Sequence, residues 1–242
     1  GALVTKLVGG HKAVSAYDIN YYFPFYVDPI ADPNDLFVGE ECGRRSANLD
    51  PAVLASLAEA YGETPAPETV LYYIYAILYA PAYRTKYEEF LRMDFPRIPF
   101  TTDADAFSTL AELGERLAAL HQLDSPELDP PLCRFEGDGD GRVAKGRGKR
   151  LRYDPDAERV FINAEQYFAP VPASVWTARL GGYQVCEKWL KDRQGRNLEL
   201  ADIRTYCRIV TALVRTAELC QEIDSLYPTV ELAPLTREAV AP

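Results

Sequence analysis

Between Leu123 and Gly148 the chain changes character, and that change limits the folds open to it. The segment is rich in Pro, Gly and Asp, with Gly137-Asp-Gly-Asp-Gly at its middle, so no helix can run through it. Helical periodicity precedes it and returns after it. On the upstream side, Asn48 or Asp50 can cap a helix with Pro51 at its first position, and Val53, Leu54, Leu57, Ala58 and Tyr61 form one apolar stripe that Gly62 ends. Pro67 opens a second helix with Glu68 in its first turn. Its apolar residues lie nearly all round (Leu71, Ile74, Ile77, Leu78), which predicts a central position. Pro81 marks a break before a helix over 83–93. The stretch Phe95-Pro-Arg-Ile-Pro-Phe must be extended, because proline blocks a helix at and before its own position. Asp103 can cap a third long helix, striped by Phe107, Leu110, Leu113, Leu117 and Leu120.

The break itself carries strand signals. Leu132 to Phe135 reads as a strand and 136–141 as an exposed loop. A hairpin follows: 149–153, a turn at Asp154-Pro-Asp-Ala, then 159–163. Two helices come last, one from about Ala173 to Lys191, the other from about Leu200 to Ser225. The second shows a 3.6-residue apolar period through Ile203, Tyr206, Ile209, Val210, Leu213, Ala217, Cys220 and Ile223. Residues 13–40 read as strands and turns. The predicted class is α+β, with helical bundle elements packed on a small, mostly antiparallel sheet. One domain is expected over 1–228: a helical part about 48–122, a β-hairpin part about 131–168 and C-terminal helices about 173–225. A loose tail is expected over 229–242.

Composition narrows the setting. The chain has 242 residues, 48% of them hydrophobic and 12% aromatic, which excludes a disordered chain. Its N-terminal residues lack the pattern of a signal peptide. The longest nearly apolar stretch, Val70 to Tyr83, is shorter than the roughly 20 residues that span a bilayer. The expectation is a soluble, cytoplasmic protein with no membrane partner. Five cysteines (Cys42, Cys133, Cys186, Cys207, Cys220) are widely spaced with no CxxC, which suits reduced, mostly buried thiols. The only histidines are His11 and His121, too few for an ordinary zinc set. Net charge is −10, but 141–215 holds 15 Lys/Arg against 8 Asp/Glu, while the remaining residues hold 11 against 28. A basic segment sits in an acidic chain, and the local field decides what a surface attracts.

Several catalytic patterns start and do not finish. Asp129-Pro-Pro-Leu resembles the loop with which amino-methyltransferases grip a flipped base, but such a loop needs a stacking aromatic where Leu132 stands. Asp138-Gly-Asp-Gly hints at calcium, yet Arg142 and Val143 follow where further oxygen ligands are required. Gly146-Arg-Gly-Lys-Arg lacks the spacing of a phosphate-binding loop. Glu88 and Glu89 are adjacent on a helix and do not face each other. His121 reads as a cation at a helix end. No catalytic residue and no metal ligand is expected here.

Two basic groups remain. Arg142, Lys145, Arg147, Lys149, Arg150 and Arg152 occur with no acid between Gly141 and Tyr153, interleaved with glycine and alanine. Such a loop and strand can track phosphates or enter a groove as a β-ribbon. Six phosphate contacts would give a log–log salt slope of roughly −5 on duplex DNA. The second group is Lys188, Lys191, Arg193 and Arg196, around Lys188-Trp-Leu-Lys-Asp-Arg-Gln-Gly-Arg. Just upstream, Gly181-Gly-Tyr-Gln sits inside the expected helix. A break there would leave Tyr183 and Gln184 exposed, whereas Trp176 and Trp189 read as core.

Three blocks, in order, resemble the C-terminal specificity region of Type ISP restriction–modification enzymes. They are Tyr72-Tyr-Ile-Tyr-Ala-Ile-Leu-Tyr-Ala-Pro-Ala-Tyr-Arg with Tyr87-Glu-Glu-Phe-Leu-Arg-Met-Asp-Phe-Pro-Arg-Ile-Pro, then Tyr153-Asp-Pro with Val160-Phe-Ile-Asn, then Gly181-Gly-Tyr-Gln-Val with the Lys188 to Arg196 run. The resemblance covers about Phe23 to Asp224. It implies a target-recognition domain that binds duplex DNA for an upstream N6-adenine methyltransferase domain of the same protein. S-adenosylmethionine would be held by that domain and no cofactor by this chain. Phosphate clamping is then expected from the basic hairpin and the Lys188 to Arg196 group, with base readout from Arg, Gln or Tyr in the loops between them. The alternatives are a docking module whose basic segment covers an acidic partner, and a hydrolase using carboxylates such as Asp94 or Asp138.

Overall fold

The computed structural model describes residues 3–6, 21–28, 45–145 and 151–236. Among these the chain divides into two compact units: residues 21–114 with 224–236, and residues 115–223 with 3–6. A single domain had been expected over 1–228.

The first unit is mainly helical. A short antiparallel pair, β1 (Tyr26–Val27) with β2 (Ser46–Ala47), precedes α1 (Pro51–Tyr61). Asp50 caps α1 by accepting from the Ala52 N–H at 2.9 Å. Gly62 ends it in the left-handed conformation, φ 76°, which costs a glycine little. α2 (Pro67–Tyr79) is central, as its all-round apolar pattern requires, and buries Val70, Tyr73, Tyr75, Ala76 and Ile77. Pro81 does not simply interrupt the chain. It is the first residue of α3 (Pro81–Lys86), and α4 (Glu88–Met93) follows where one helix over 83–93 had been expected. α5 (Ala104–His121) is capped by Asp103, whose carboxylate accepts from the Ala106 N–H at 2.9 Å. Gly114 of α5 lies so close to α2 that an added Cβ would fall 1.9 Å from the Tyr72 carbonyl oxygen.

Three tyrosines hold the extended stretch before α5. The hydroxyls of Tyr83, Tyr73 and Tyr61 donate to the carbonyls of Arg97, Pro99 and Thr101 at 2.9, 2.8 and 2.6 Å. Prolines at 96 and 99 keep this stretch out of a helix, so its carbonyls have no helical donors. Side-chain hydroxyls supply them, and burial raises the pKa of each tyrosine.

The second unit carries the sheet. Strands β3 (Arg134–Glu136), β4 (Arg152–Asp154), β5 (Arg159–Phe161) and β6 (Tyr167–Ala169) pair antiparallel in the order β3-β6-β5-β4. The β4–β5 hairpin agrees with expectation. The sequence reading had no counterpart for β6, which is central. Its three residues end against Pro170, too short for a period-2 signal. One row across the sheet is Phe135, Phe168, Val160 and Tyr153, and it faces the core with Val175, Cys186, Leu190, Tyr206, Cys207 and Val210. Tyr206 is fully buried, its ring centroid 4.2 Å from that of Phe168. Cys133, Cys186 and Cys207 are buried free thiols. Burial pushes Cys186 up to about 12, and a thiol–thiol hydrogen bond with Cys207, with burial, raises Cys133. Cys42 lies outside the described residues.

A single helix over 173–191 is not what forms. The chain makes α6 (Ala173–Trp176), a hairpin of β7 (Arg179–Leu180) and β8 (Tyr183–Gln184), then α7 (Val185–Lys191). Gly181-Gly182 forms the two-residue turn, with Gly181 at φ 55°. Two adjacent glycines suit a hairpin turn better than a helix interior.

α8 (Leu200–Leu232) runs seven residues past the expected end at Ser225 and straight through Pro228. The tail expected to be loose from 229 is held as far as it is described. Leu235 N–H donates to the Phe100 carbonyl, Thr102 N–H donates to the Ala233 carbonyl (each 2.8 Å), and Lys86 pairs with Glu231 at 2.8 Å. Tyr227 and Val230 are buried, which offsets the hydrogen bond that Pro228 cannot make. No described helix is long and apolar enough to cross a membrane.

Candidate nucleic-acid interface

The two basic groups lie far apart in sequence but meet in the second unit. Residues 141–145 run antiparallel to 195–198, with an isolated bridge between Arg142 and Asn197. Val143 N–H donates to the Arg196 carbonyl at 2.9 Å, Leu198 N–H to the Gly141 carbonyl at 2.9 Å, and Gly195 N–H to the Val143 carbonyl at 2.8 Å. On its other side the same segment joins the sheet, because Ala144 N–H donates to the Ile162 carbonyl at 2.8 Å. Val143 and Ala144 are buried in the middle of this segment, and Arg142 and Lys145 on either side of them are exposed.

The cations differ in what they already hold. Arg142, Lys145 and Arg196 are exposed and make no side-chain ion pair among the described residues. Lys188 pairs with Asp192 at 2.5 Å and lies over the Tyr183 ring at 5.3 Å, and Lys191 pairs with Glu187 at 2.9 Å. Arg193 is half-buried, stacked 3.5 Å over Trp189 and paired with Asp202 at 3.0 Å. Gln184 is half-buried too, its amide donating to the Trp176 carbonyl. Tyr183 and Gln184 therefore do not stand out from the surface as a helix break had suggested. Exposed pairs such as those of Lys188 and Lys191 stabilise by only about 0.2–1 kcal/mol, so a phosphate can displace either carboxylate. Arg147, Lys149 and Arg150 lie outside the described residues.

Arg152 marks a face that the sequence reading did not assemble. With Phe135 and Tyr153 facing the core, their strand neighbours face outward. Arg152 stacks on Phe161 at 4.1 Å and Arg159 on Tyr167 at 4.4 Å, and the Tyr167 hydroxyl donates to Glu136 at 2.9 Å. The period-2 alternation of Arg159 and Phe161 was the available signal. Their partner Tyr167 lay on the strand that was missed.

Next to the basic edge, an open crevice of about 500 Å³ lies between 138–145 and 163–166. Gln166, only 3% exposed, organises it. Its side-chain oxygen accepts from the Gly141 N–H at 2.8 Å and from the Asn163 amide at 2.9 Å. Asn163 in turn donates to the Arg142 carbonyl at 3.2 Å and accepts from the Gln166 N–H at 2.7 Å. Gly137 and Gly139 pass so close that added Cβ atoms would fall 2.3 Å from the Glu165 carbonyl oxygen and 2.7 Å from the Gln166 side-chain oxygen.

The unfinished patterns have structural roles. Leu132, 42% exposed, gives its N–H to the Thr211 hydroxyl at 2.9 Å, and Asp129 faces Arg208 at 3.5 Å. Among the described residues no cluster of His, Cys, Asp and Glu suits a metal. His121 is not the helix-end cation that its position suggested. Burial lowers its pKa to about 4, so it is neutral near pH 7, with Nε2 2.9 Å from the Thr216 hydroxyl. His11 lies outside the described residues.

Residues 1–222 match the family described as the Type ISP C-terminal specificity domain. Two solved structures share the fold. One is a complex of DrdV with DNA, at 22% identity and TM-score 0.54, covering 76% of this chain and 20% of that one. The other is the ATP-dependent Type ISP restriction-modification enzyme LlaBIII bound to DNA, at 18% identity and TM-score 0.55, covering 82% of this chain and 13% of that one. The chain thus spans a fifth or less of those chains. No curated protein matches it.

Proposed function

We propose, from the premise that this chain belongs to the Type ISP C-terminal specificity domain family, that it recognises duplex DNA and positions it for a larger restriction–modification enzyme in the cytoplasm. The DNA would be methylated at adenine N6 by a methyltransferase domain upstream in the same protein. S-adenosylmethionine would supply the methyl group there. The residues of this chain do not fit that step. Asp129-Pro-Pro-Leu places the aliphatic Leu132 where a flipped base needs an aromatic, and its Asp129 faces Arg208.

The observation that carries the reading is the backbone pairing of 141–145 with 195–198. It brings the segment that carries Arg142 and Lys145 next to Arg196, and all three are exposed and without ion pairs among the described residues. Duplex DNA carries one negative charge per about 1.7 Å of its axis, so a row of open cations is what its backbone attracts. Arg147, Lys149, Arg150 and Arg152 would extend the clamp, with Lys188 and Lys191 at its margin. The test is anisotropy with labelled duplex DNA and the parent protein. Replacing Lys145 and Arg196 by Glu should weaken binding at least tenfold at low salt, as should replacing Arg147, Lys149 and Arg150. Unchanged affinity in both variants refutes the assignment.

A further inference from the structure

The crevice beside the basic edge differs from it in chemistry. Phosphate oxygens only accept hydrogen bonds and carry negative charge, so a phosphate site is lined by donors. This crevice is lined by Arg142 and Lys145 but also by Asp138, Asp140 and Glu165. Three carboxylates repel a phosphate. The edge of a G·C pair demands both donors and an acceptor. In the major groove guanine presents two acceptors, O6 and N7, and its cytosine presents a donor, the N4 amino group. An arginine and a carboxylate in one crevice answer both.

The individual groups are in the right state. Asp140 is engaged locally, accepting from the Arg142 N–H at 3.0 Å. The side chains of Asp138 and Glu165 hold no hydrogen bond or ion pair among the described residues, and Arg142 pairs with neither although all three line the same crevice. The backbone under them is fixed. Gln166 is buried and bonded to Gly141, and Asn163 holds the Arg142 carbonyl. An exposed loop tied down by a buried side-chain network presents its tip in one geometry, which direct readout of a base requires and a loose electrostatic tether does not.

We propose that this crevice reads a G·C pair in the major groove of duplex DNA, with Arg142 donating to guanine O6 and N7 and Asp138 or Glu165 accepting from cytosine N4. The proposal rests on the DNA-recognition reading above and assigns it a specificity-determining site. Lys145 and Arg196, on the neighbouring edge, contact the DNA backbone and carry no sequence information.

The experiment offers the parent protein a library of randomised duplexes and sequences the bound fraction. The unaltered protein enriches a defined site. Arg142→Ala, and separately the double change Asp138→Asn with Glu165→Gln, lower the preference at one G·C position roughly tenfold or more and leave the other positions intact. Lys145→Ala and Arg196→Ala weaken binding to all sequences alike. Arg142 is exposed, and the amide replacements keep the shape of the carboxylates, so the fold survives each change. Full enrichment at every position in both crevice variants overturns the proposal. So does an Arg142→Ala protein that binds all sequences evenly more weakly, since Arg142 is then a backbone contact. An unaltered protein that enriches no site at all overturns the recognition reading itself, and the crevice assignment with it.

Discussion

Gln166 is a buried side chain whose hydrogen bonds go to an exposed loop. Its amide oxygen takes two donors, and without it the buried Gly141 N–H has no side-chain partner. Leaving a buried donor unmet costs about 1–3 kcal/mol. Gln166→Ala is therefore expected to lower unfolding stability by about 2 kcal/mol in a urea titration. Gly139→Ala should cost a similar amount, because its Cβ would meet the Gln166 amide. Neither interaction shows in the sequence, since Gln166 lies 25 residues from Gly141. Asp50 and Asp103 did show, because each caps an amide only two or three residues on. His121 gives a pH prediction at the same scale. Its imidazole takes up a proton near pH 6.5 when unfolded and only near 4 when folded. Between those values the unfolded state binds more protons, so this contribution to stability falls as pH drops from 6.5 and levels off below 4. Between pH 7 and pH 5 the loss should be about 2 kcal/mol, and His121→Gln should remove that part of the slope in parallel denaturation curves.

At the scale of elements, the tyrosine-pinned stretch and the Gly181 hairpin are the informative cases. Prolines made the first legible as extended, and the alternate carbonyls of Arg97, Pro99 and Thr101 are what Tyr83, Tyr73 and Tyr61 then hold. Tyr→Phe at each should cost about 1 kcal/mol, the size of one net hydrogen bond, and thermal unfolding of the three single variants checks it. The sequence predicts one helix from about Ala173 to Lys191, with Gly181-Gly182 inside it. Glycine's freedom decided otherwise. Gly181→Val forces a β-branched residue to φ 55° and should destabilise by about 1–2 kcal/mol, whereas Gly181→Asn should be milder. The central strand β6 was illegible because its three residues are too few for an alternating pattern; what makes it a strand is its pairing with distant β3 and with β5.

Over the whole molecule, net charge misleads. The chain carries −10, yet Arg142, Lys145 and Arg196 stand exposed without ion pairs among the described residues where 141–145 meets 195–198. DNA affinity should therefore depend on salt as a local contact does. Neutralising Lys145 and Arg196 together should flatten the log–log salt slope by about 0.9 for each phosphate contact removed. Family, α+β class, basic segment and most helix limits could be read in advance. By itself the sequence determined the helices α1, α2 and α5 and the extended stretch between Phe95 and Phe100, because caps, prolines and apolar period act within a few residues. Which basic side chains remain open to a partner was decided only in three dimensions. Asp202 pairs with Arg193 from a different element, while backbone pairing between distant segments brings Arg196 next to the segment that carries Arg142 and Lys145.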